Sequence, residues 1–356
     1  MKLLSHADLE RARGIGDGPI DAVIEALGDE AWIINAALRH LHRNGDPLPE
    51  ATPAPLRTAL ASIEPPAWLD TARCRRAQRW ASAHLFHITV ALFCASLPTA
   101  YGAARGARVL AATGRMRAGE LDERINATAQ FVLDVVQEDG FGEAGAAIRA
   151  IQKVRLVHAA VRTRLVKTGM WTDEIPINQE DMLGTLFGFS VVVLRAAAAL
   201  GVEITAEQAE DYYHLWRGAG SMLGIREELL PDTLCEARDA SARITRRHLA
   251  ASSHGCELMA ELLAGMERHV PHAPSAPRYL VRYLAGEELA DLLGVPAPSA
   301  FQEKLALLRL LPSLPLKPLR RAVERASLVL GRPLLEAVIT KKLRGRPATF
   351  ALPTPS

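Results

Sequence analysis

Helix start and stop signals recur along this chain, and they constrain its fold more than any other feature. Gly18 and the proline after it open a short helix that ends near Gly28, the arrangement favoured at helix termini. Asn178 is a good N-cap, and Thr205 with Gln208 three residues later forms a capping box. Aromatic residues make up only 5%, and β-branched runs are rare beside Ala, Leu, Arg and Glu. The sequence therefore predicts an all-α fold.

The same signals divide the chain into segments. We expect helices over residues 18–28, 29–44, 68–97, 120–137, 143–168, 179–201, 205 onward, 235–248 and 254–266. Proline-rich residues 46–66 and 271–277 predict connecting loops. No repeat and no long linker divides the chain, so we predict a single large helical domain. Its expected parts are N-terminal helices with a proline-rich loop over 1–66, the main helical domain over 67–300 and a C-terminal basic helical appendage over 301–356.

Charge and cysteine usage exclude several classes of protein. The 42 Lys and Arg residues nearly balance the 40 Asp and Glu residues, which argues against a dedicated nucleic-acid binder. The four cysteines are scattered without a CxxC or CxxCH motif, so the usual covalent haem attachment is excluded and a thiolate zinc site is disfavoured. The first residues carry charge before any apolar run develops, unlike a secretory signal. We therefore expect reduced thiols and a cytoplasmic location.

Two long apolar stretches predict buried helices rather than membrane spans. Residues 81–101 contain His84 and His87 and are broken by Pro98, and residues 183–202 carry Arg195. The two histidines lie one turn apart on an apolar helix. They could contact a cofactor pocket or a metal, although histidines in a core or an interface are more common.

Arg155, His158 and Arg162 occupy one face of a predicted helix, at positions i, i+3 and i+7. A neutral imidazole flanked by guanidinium groups suits a haem iron ligand, since arginines can pair with the two propionates. The small residues Ala159 and Ala160 would let a flat ring approach. The alternative is a solvated basic face that carries one surface histidine.

Two further patterns could line such a pocket. Arg124 and Thr128 lie one turn apart near Phe131, where they could position dioxygen or a peroxide. The alternative for Thr128 is a hydrogen bond back to its own helix backbone. Gly184 and Gly188 leave one helix face bare, which suits either tight helix packing or a planar cofactor.

Several motifs in order resemble one known family. They are Ala-Thr-Gly at 112–114, Arg124 with Thr128, Lys-Val-Arg-Leu-Val-His-Ala-Ala-Val-Arg at 153–162, Pro-Ile-Asn-Gln-Glu-Asp at 176–181 and Gly-Ile-Arg-Glu-Glu-Leu-Leu-Pro at 224–231. Over about residues 60–300 the chain resembles the MpaB and latex-clearing-protein family, also called the rubber oxygenase catalytic domain. The resemblance implies an all-α fold with a globin-like core, a non-covalent haem b and O2-dependent cleavage of carbon–carbon double bonds. By the same resemblance His158 is the proximal iron ligand, and Arg124 and Thr128 are the distal catalytic residues.

The chain departs from that family at two positions. Rubber-cleaving members carry a lysine one residue before the distal threonine, where this chain has Ala127. The spacing of their catalytic glutamate falls near Arg108, and the closest acids are Glu120 and Glu123. Rubber-cleaving members are also secreted, so we expect a smaller lipid, terpenoid or polyketide-like substrate here rather than polyisoprene.

We therefore expect a haem b-dependent oxygenase that uses O2 on an apolar organic substrate. The alternative is a non-catalytic haem-binding carrier, sensor or scaffold, which the missing lysine and glutamate permit. The C-terminal stretch holds a series of basic residues with Leu and Val between them, either a solvated helix face or a membrane-surface contact. These residues are Lys317, Arg320, Arg321, Arg325, Lys341, Lys342, Arg344 and Arg346.

Overall fold

The structure is a computed structural model, and it describes residues 4–28, 34, 41–113, 120–169, 171–172, 174–269 and 275–297. These residues form helices and connecting loops and contain no β-strand, so the predicted all-α fold is confirmed. The helix expected over 29–44 and the loop expected over 271–277 lie largely outside the described residues. The C-terminal appendage over 301–356, with its basic residues, lies wholly outside them.

The helices follow one another with short connections. In the first half they are α1 (His6–Arg13), α2 (Gly18–Leu27), α3 (Ala54–Ala61), α4 (Thr71–Ala83), α5 (Leu85–Ala91), α6 (Leu97–Gly102), α7 (Ala104–Thr113) and α8 (Glu120–Val136). In the second half they are α9 (Ala147–Lys167), α10 (Gln179–Phe187), α11 (Val193–Ala199), α12 (Ala206–Met222), α13 (Leu234–His248), α14 (Ser253–His269), α15 (Ala276–Ala285) and α16 (Glu287–Leu292). Single π-helical turns join α5 to α6 (Leu92–Ser96) and α10 to α11 (Gly188–Val192).

The predicted caps form as expected. The Asn178 side chain accepts a hydrogen bond from the backbone N–H of Asp181, which starts α10. Thr205 and Gln208 make the reciprocal bonds of a capping box at the start of α12. These local signals are reliable because each bond joins residues within one turn.

Two sequence predictions are wrong at the level of elements. The proline-rich stretch 46–66 was expected to be a loop, but it contains α3, which starts after Pro53 and has Pro55 in its first turn, where the missing N–H costs nothing. The helix expected over 68–97 is divided, because α4 ends at His84 and α5 begins directly after it.

The core is built around α12, which packs along α4, and around α9, which packs against α2 and α8. Trp216 of α12 is fully buried, with its ring stacked on Phe189 at 5.0 Å between ring centroids. Phe131 of α8 lies 6.1 Å from the same indole. Burying each large aromatic side chain contributes roughly 1.5–3 kcal/mol, so this cluster helps to fix the positions of α8, α12 and the π-helical turn after α10.

Two stretches, Leu85–Gly102 and Gln179–Ala199, are long and apolar enough to cross a membrane by length and composition. About half of each is buried inside the fold, at 50% and 56%. Their π-helical turns pack against each other, and the Ser96 hydroxyl donates a 2.6 Å hydrogen bond to the Gly188 carbonyl. This packing is what the sequence predicts for buried helices of a larger fold.

Candidate functional site

His158 occupies a core position of α9. The stripe that faces the interior contains Ile151, Val154, Val161 and Leu165, each at most 8% exposed. Their spacing of three and four residues includes position 158, so an imidazole lies where the pattern calls for an apolar side chain. His158 is nonetheless only half-buried, unlike its neighbours in the stripe. Because the stripe faces the interior, the alternative of a solvated surface histidine is disfavoured.

The surroundings of His158 keep its ring neutral. Its Nδ1 atom is buried and has no hydrogen-bond partner among the described residues. Desolvation, reinforced by the nearby Arg162 charge and opposed by Asp17, lowers the pKa of His158 from 6.5 to about 4. At neutral pH the imidazole is uncharged, which is the form that binds a metal.

Arg155 forms a buried, bidentate ion pair with Asp17 at the start of α2. Its Nε and Nη2 atoms donate to the two carboxylate oxygens at 2.6 and 2.9 Å. Its Nη1 donates to the Met222 carbonyl at 3.0 Å, at the end of α12. The structure thus gives this guanidinium a protein carboxylate, and the expected haem propionate contact stays a prediction.

Arg162 pairs in the same way with the next turn of α2. Its Nη1 bonds Asp21, and its Nη2 donates to the Ile177 carbonyl at 2.9 Å. Ile177 has φ +54°, a conformation that costs a β-branched residue free energy. The hydrogen bond from Arg162 to the Ile177 carbonyl helps to hold this backbone conformation. A propionate contact of Arg162 likewise stays a prediction.

The motifs at 176–181 and 224–231 meet on this side of α9. The buried Gln179 side chain donates to the carbonyls of Gly16 and Gly224, both at 2.9 Å. Its oxygen accepts from the backbone N–H of Arg226, also at 2.9 Å. One amide therefore ties the loop before α2, the start of α10 and the turn after α12 together around Arg155.

Arg124 is held at the junction of α8, α7 and α6. Its Nη1 donates to the Leu110 carbonyl at 3.1 Å, and its guanidinium interacts with the hydroxyl of the buried Tyr101. Burial raises the pKa of Tyr101, so the phenol keeps its proton. The Thr128 hydroxyl donates back to the Arg124 carbonyl at 2.9 Å, the alternative considered from the sequence. Its oxygen can still accept a hydrogen bond.

Helix α7 connects the two groups of residues. Val109 packs with Val161, which lies one turn beyond His158 on α9. Leu110, the next residue of α7, is the residue that binds Arg124. Arg124 and the turn of α9 after His158 therefore both contact α7, and the placement of Arg124 and His158 in one pocket stays a prediction.

The structure locates the positions where the chain departs from the family pattern. Ala127 lines a cavity of about 40 Å³ between α8 and α9 together with Lys153, whose Nζ donates to the Leu41 carbonyl at 2.6 Å. Arg108 is exposed and lies 4.2 Å from the centre of the Trp171 ring. The side chains of Glu120 and Glu123 lie outside what the structure describes.

The structure also shows the surroundings of the remaining candidates from the sequence. Gly184 packs closely on α13, where an added Cβ would lie 3.2 Å from Ile244, whereas one at Gly188 would meet nothing within 4 Å. His84 lies in an aromatic cluster, 5.2 Å from the Trp80 ring and 5.9 Å from the His87 ring. Of the two glycines, Gly188 is therefore the one that faces open space.

Sequence reasoning missed four residues of the site. They are Asp17, Asp21, Tyr101 and Gln179. The two aspartates lie 138 and 141 positions from their arginines, and no local pattern links residues so far apart. Gln179 lies within the motif at 176–181, whose sequence does not indicate what its amide binds. Tyr101 stood at the end of an apolar stretch, where a buried hydroxyl that needs a partner is the signal that could have identified it.

Fold and site define a helical domain with a neutral imidazole at a core position of α9 and a half-buried arginine on α8. The sequence model described as "ER-bound oxygenase mpaB/B'/Rubber oxygenase, catalytic domain" matches residues 76–316. The chain belongs to this family and is an oxygenase.

Two relatives agree with this assignment. A rubber oxygenase of Streptomyces sp. (strain K30) is 28% identical over 309 residues, covering 82% of this chain and 74% of the relative. The solved structure of a latex clearing protein in its closed state has a TM-score of 0.74 at 25% identity. That match covers 96% of this chain and 94% of the other.

Proposed function

We propose that this oxygenase depends on a non-covalent haem b and uses O2 to act on an apolar organic substrate. The observation that carries the proposal is His158, a neutral imidazole at a core position of α9 whose buried Nδ1 has no partner among the described residues. A neutral imidazole keeps a lone pair on one ring nitrogen, and this is the form in which histidine binds haem iron.

The residues present fit such a group. In the described ranges, no cluster of three or more His, Cys, Asp or Glu residues could hold a metal ion by itself. A haem iron needs only one protein ligand, which His158 provides. Arg155 and Arg162 lie on either side of that ligand, and each is held by an aspartate, so we propose their propionate contacts from the family resemblance alone. When bound, the haem supplies an iron that activates O2.

In the proposed haem pocket, Arg124 and Thr128 would line the side opposite His158. Arg124 is fixed by Leu110 and Tyr101, so its remaining N–H groups are preorganised to stabilise negative charge that develops on oxygen. The Thr128 hydroxyl lies one turn away, where it can orient a reacting group or relay a proton. The protonated phenol of Tyr101 keeps the arginine in place without adding charge.

We propose an olefin as the substrate, with oxidative cleavage of a carbon–carbon double bond. The relative named rubber oxygenase acts on an apolar polymer, and Phe131 places an apolar ring one turn from Thr128 in this chain. In the balanced reaction both atoms of O2 are used, one on each carbon, so that one C=C bond becomes two carbonyl groups. A terpenoid or other small lipid is the substrate we favour.

The test is turnover of the haem-loaded protein with ¹⁸O2 and isoprenoid olefins of increasing length, with squalane as the saturated control. We expect two carbonyl products per cleavage, each with one ¹⁸O, and no reaction with squalane. Thr128→Val should lower the rate, whereas Thr185→Val should leave it unchanged, because Thr185 makes the same bond back to its helix on an exposed face of α10. A haem-loaded protein that oxidises no olefin would favour the carrier or sensor alternative.

We also propose that the protein works in the cytoplasm. The support is the scattered cysteines, which form no disulfide among the described residues. Fractionation of cells that express the tagged chain tests this proposal, since recovery in the membrane or the culture medium would contradict it.

A further inference from the structure

Two aspartates outside the region matched by the family's sequence model lie against the helix that carries His158. That region begins at residue 76, whereas Asp17 and Asp21 lie at the start of α2. Asp17 is 4% exposed and binds Arg155, three residues before His158. Asp21 binds Arg162, four residues after it. Each guanidinium beside the imidazole therefore has a carboxylate partner from one short helix.

The surrounding backbone leaves room for these ion pairs. A Cβ added at Gly16 would lie 2.7 Å from an Asp21 oxygen and 2.9 Å from the Arg162 side chain. One added at Gly224, where φ is +92°, would lie 2.7 Å from an Asp17 oxygen and 2.8 Å from Arg155. All four distances are shorter than real Cβ contacts, so a side chain at either position would displace the ion pair that it faces.

We infer that Asp17 and Asp21 are positioning residues for His158, and that α2 is therefore a functional part of the catalytic domain. The bidentate bond between Asp17 and Arg155 fixes the rotation of α9 about its axis and hence the direction of the imidazole. The two carboxylates also balance the two arginine charges beside the ligand. This inference rests on the proposed haem function.

The charge balance has a measurable consequence at the cofactor. Asp17→Asn keeps the shape of the side chain but leaves the positive charge of Arg155 uncompensated next to His158. A net positive charge disfavours ferric over ferrous iron, so the reduction potential should rise. Loss of a direct outer partner of a metal ligand weakens binding about 10- to 100-fold, and because Asp17 acts on His158 only through Arg155 we expect haem to dissociate up to about 10-fold faster.

The chain offers a matched control. Asp211 of α12 is also buried and bonds Arg73 and Arg76 of α4, so it has the same chemistry in a different part of the core. For both haem-loaded variants we would measure haem transfer to apomyoglobin, the ferric/ferrous potential and the thermal midpoint. We expect both variants to lower the midpoint, but only Asp17→Asn to change haem transfer and the potential.

A double-mutant cycle separates positioning from simple stability. Arg155→Gln should lower the potential, and the double variant with Asp17→Asn should return close to the wild-type value, because the pair acts as a unit. Both single variants should lose haem faster, and the double variant no faster than either of them. If Asp17→Asn and Asp211→Asn change haem transfer and potential equally, or if the haem-loss factors of the two single variants multiply in the double variant, the inference is wrong. A wild-type chain that binds no haem would instead contradict the proposed function.

Discussion

The Arg124 guanidinium is fixed before any substrate arrives, because Leu110 and Tyr101 both hold it. A preorganised donor in a water-poor pocket stabilises developing charge more than a mobile one does. We therefore expect Arg124→Ala to lower the olefin turnover rate about 10²–10³-fold, with haem binding retained. Turnover and the absorption spectrum measured on the same sample test this prediction.

The control for Arg124 is Arg75→Ala, which removes an exposed guanidinium from α4. Its turnover rate should match that of the wild type. A loss of turnover in Arg124→Ala that follows a loss of bound haem would contradict the assigned role, since the arginine would then act on the cofactor's retention.

For single residues, the sequence identifies those that are related by their spacing along one helix. Arg155, His158 and Arg162 share one turn-to-turn pattern, and the structure keeps them on one helix. Their partners could not be predicted, because Asp17 and the Ile177 carbonyl reach them only through tertiary packing. The orientation of the two guanidiniums, toward aspartates, was therefore beyond the sequence.

Among the elements, α10 begins with two adjacent acids in opposite electrostatic states. Burial raises the pKa of Glu180, but hydrogen bonds from His248, Arg247 and Arg13 outweigh it and lower the pKa to about 2. Burial dominates at Asp181 and raises its pKa from 3.8 to about 6, although Arg13 opposes the shift. The fold thus stabilises the carboxylate form of Glu180 and destabilises the carboxylate form of Asp181.

The two acids should respond to substitution with opposite signs. The folded protein binds a proton at Asp181 more tightly than the unfolded chain, so stability is lost as the pH rises from about 4 to 6. Asp181→Asn removes that loss and should stabilise the protein by about 1–3 kcal/mol at pH 7.5. Glu180→Gln breaks a buried ionic network and should destabilise it by about 3–5 kcal/mol. Urea unfolding of each variant at pH 5 and pH 7.5 measures both.

The effect of Asp181→Asn on the free energy of unfolding should depend on pH, whereas a general effect of the substitution would be the same at both pH values. Asp181→Asn should gain little at pH 5, where the wild-type carboxyl is already largely protonated. Equal effects of Asp181→Asn at the two pH values, or destabilisation at pH 7.5, would contradict the assignment.

The sequence also predicts elements unevenly. The starts of α10 and α12 follow from caps within one turn. The break at His84 and the π-helical turns do not follow from local signals. No glycine or proline marks the break at His84, and each π-helical turn shifts the backbone by about one residue. Tertiary packing of the two apolar stretches decides these details.

For the whole molecule, helical composition and apolar periodicity were sufficient to predict the all-α class. The division at residues 66 and 67 stays a prediction. The packing of α2 on α9 shows, however, that the N-terminal region contacts the main helical domain at the site itself. A domain division inferred from loops and prolines cannot include such contacts, since they join distant parts of the chain.

A haemin titration of the apoprotein, followed through the Soret band, tests whether His158 holds a haem, and far-UV circular dichroism checks the folding of each variant. The wild type should bind one haemin per chain, and acid–organic extraction should remove it. His158→Ala should keep its helices but lose the band. His254→Ala should retain the band, although its Nδ1 is also buried without a partner in the described part of the chain. A wild-type protein that takes up no haemin, or an unchanged spectrum in His158→Ala, would contradict the account.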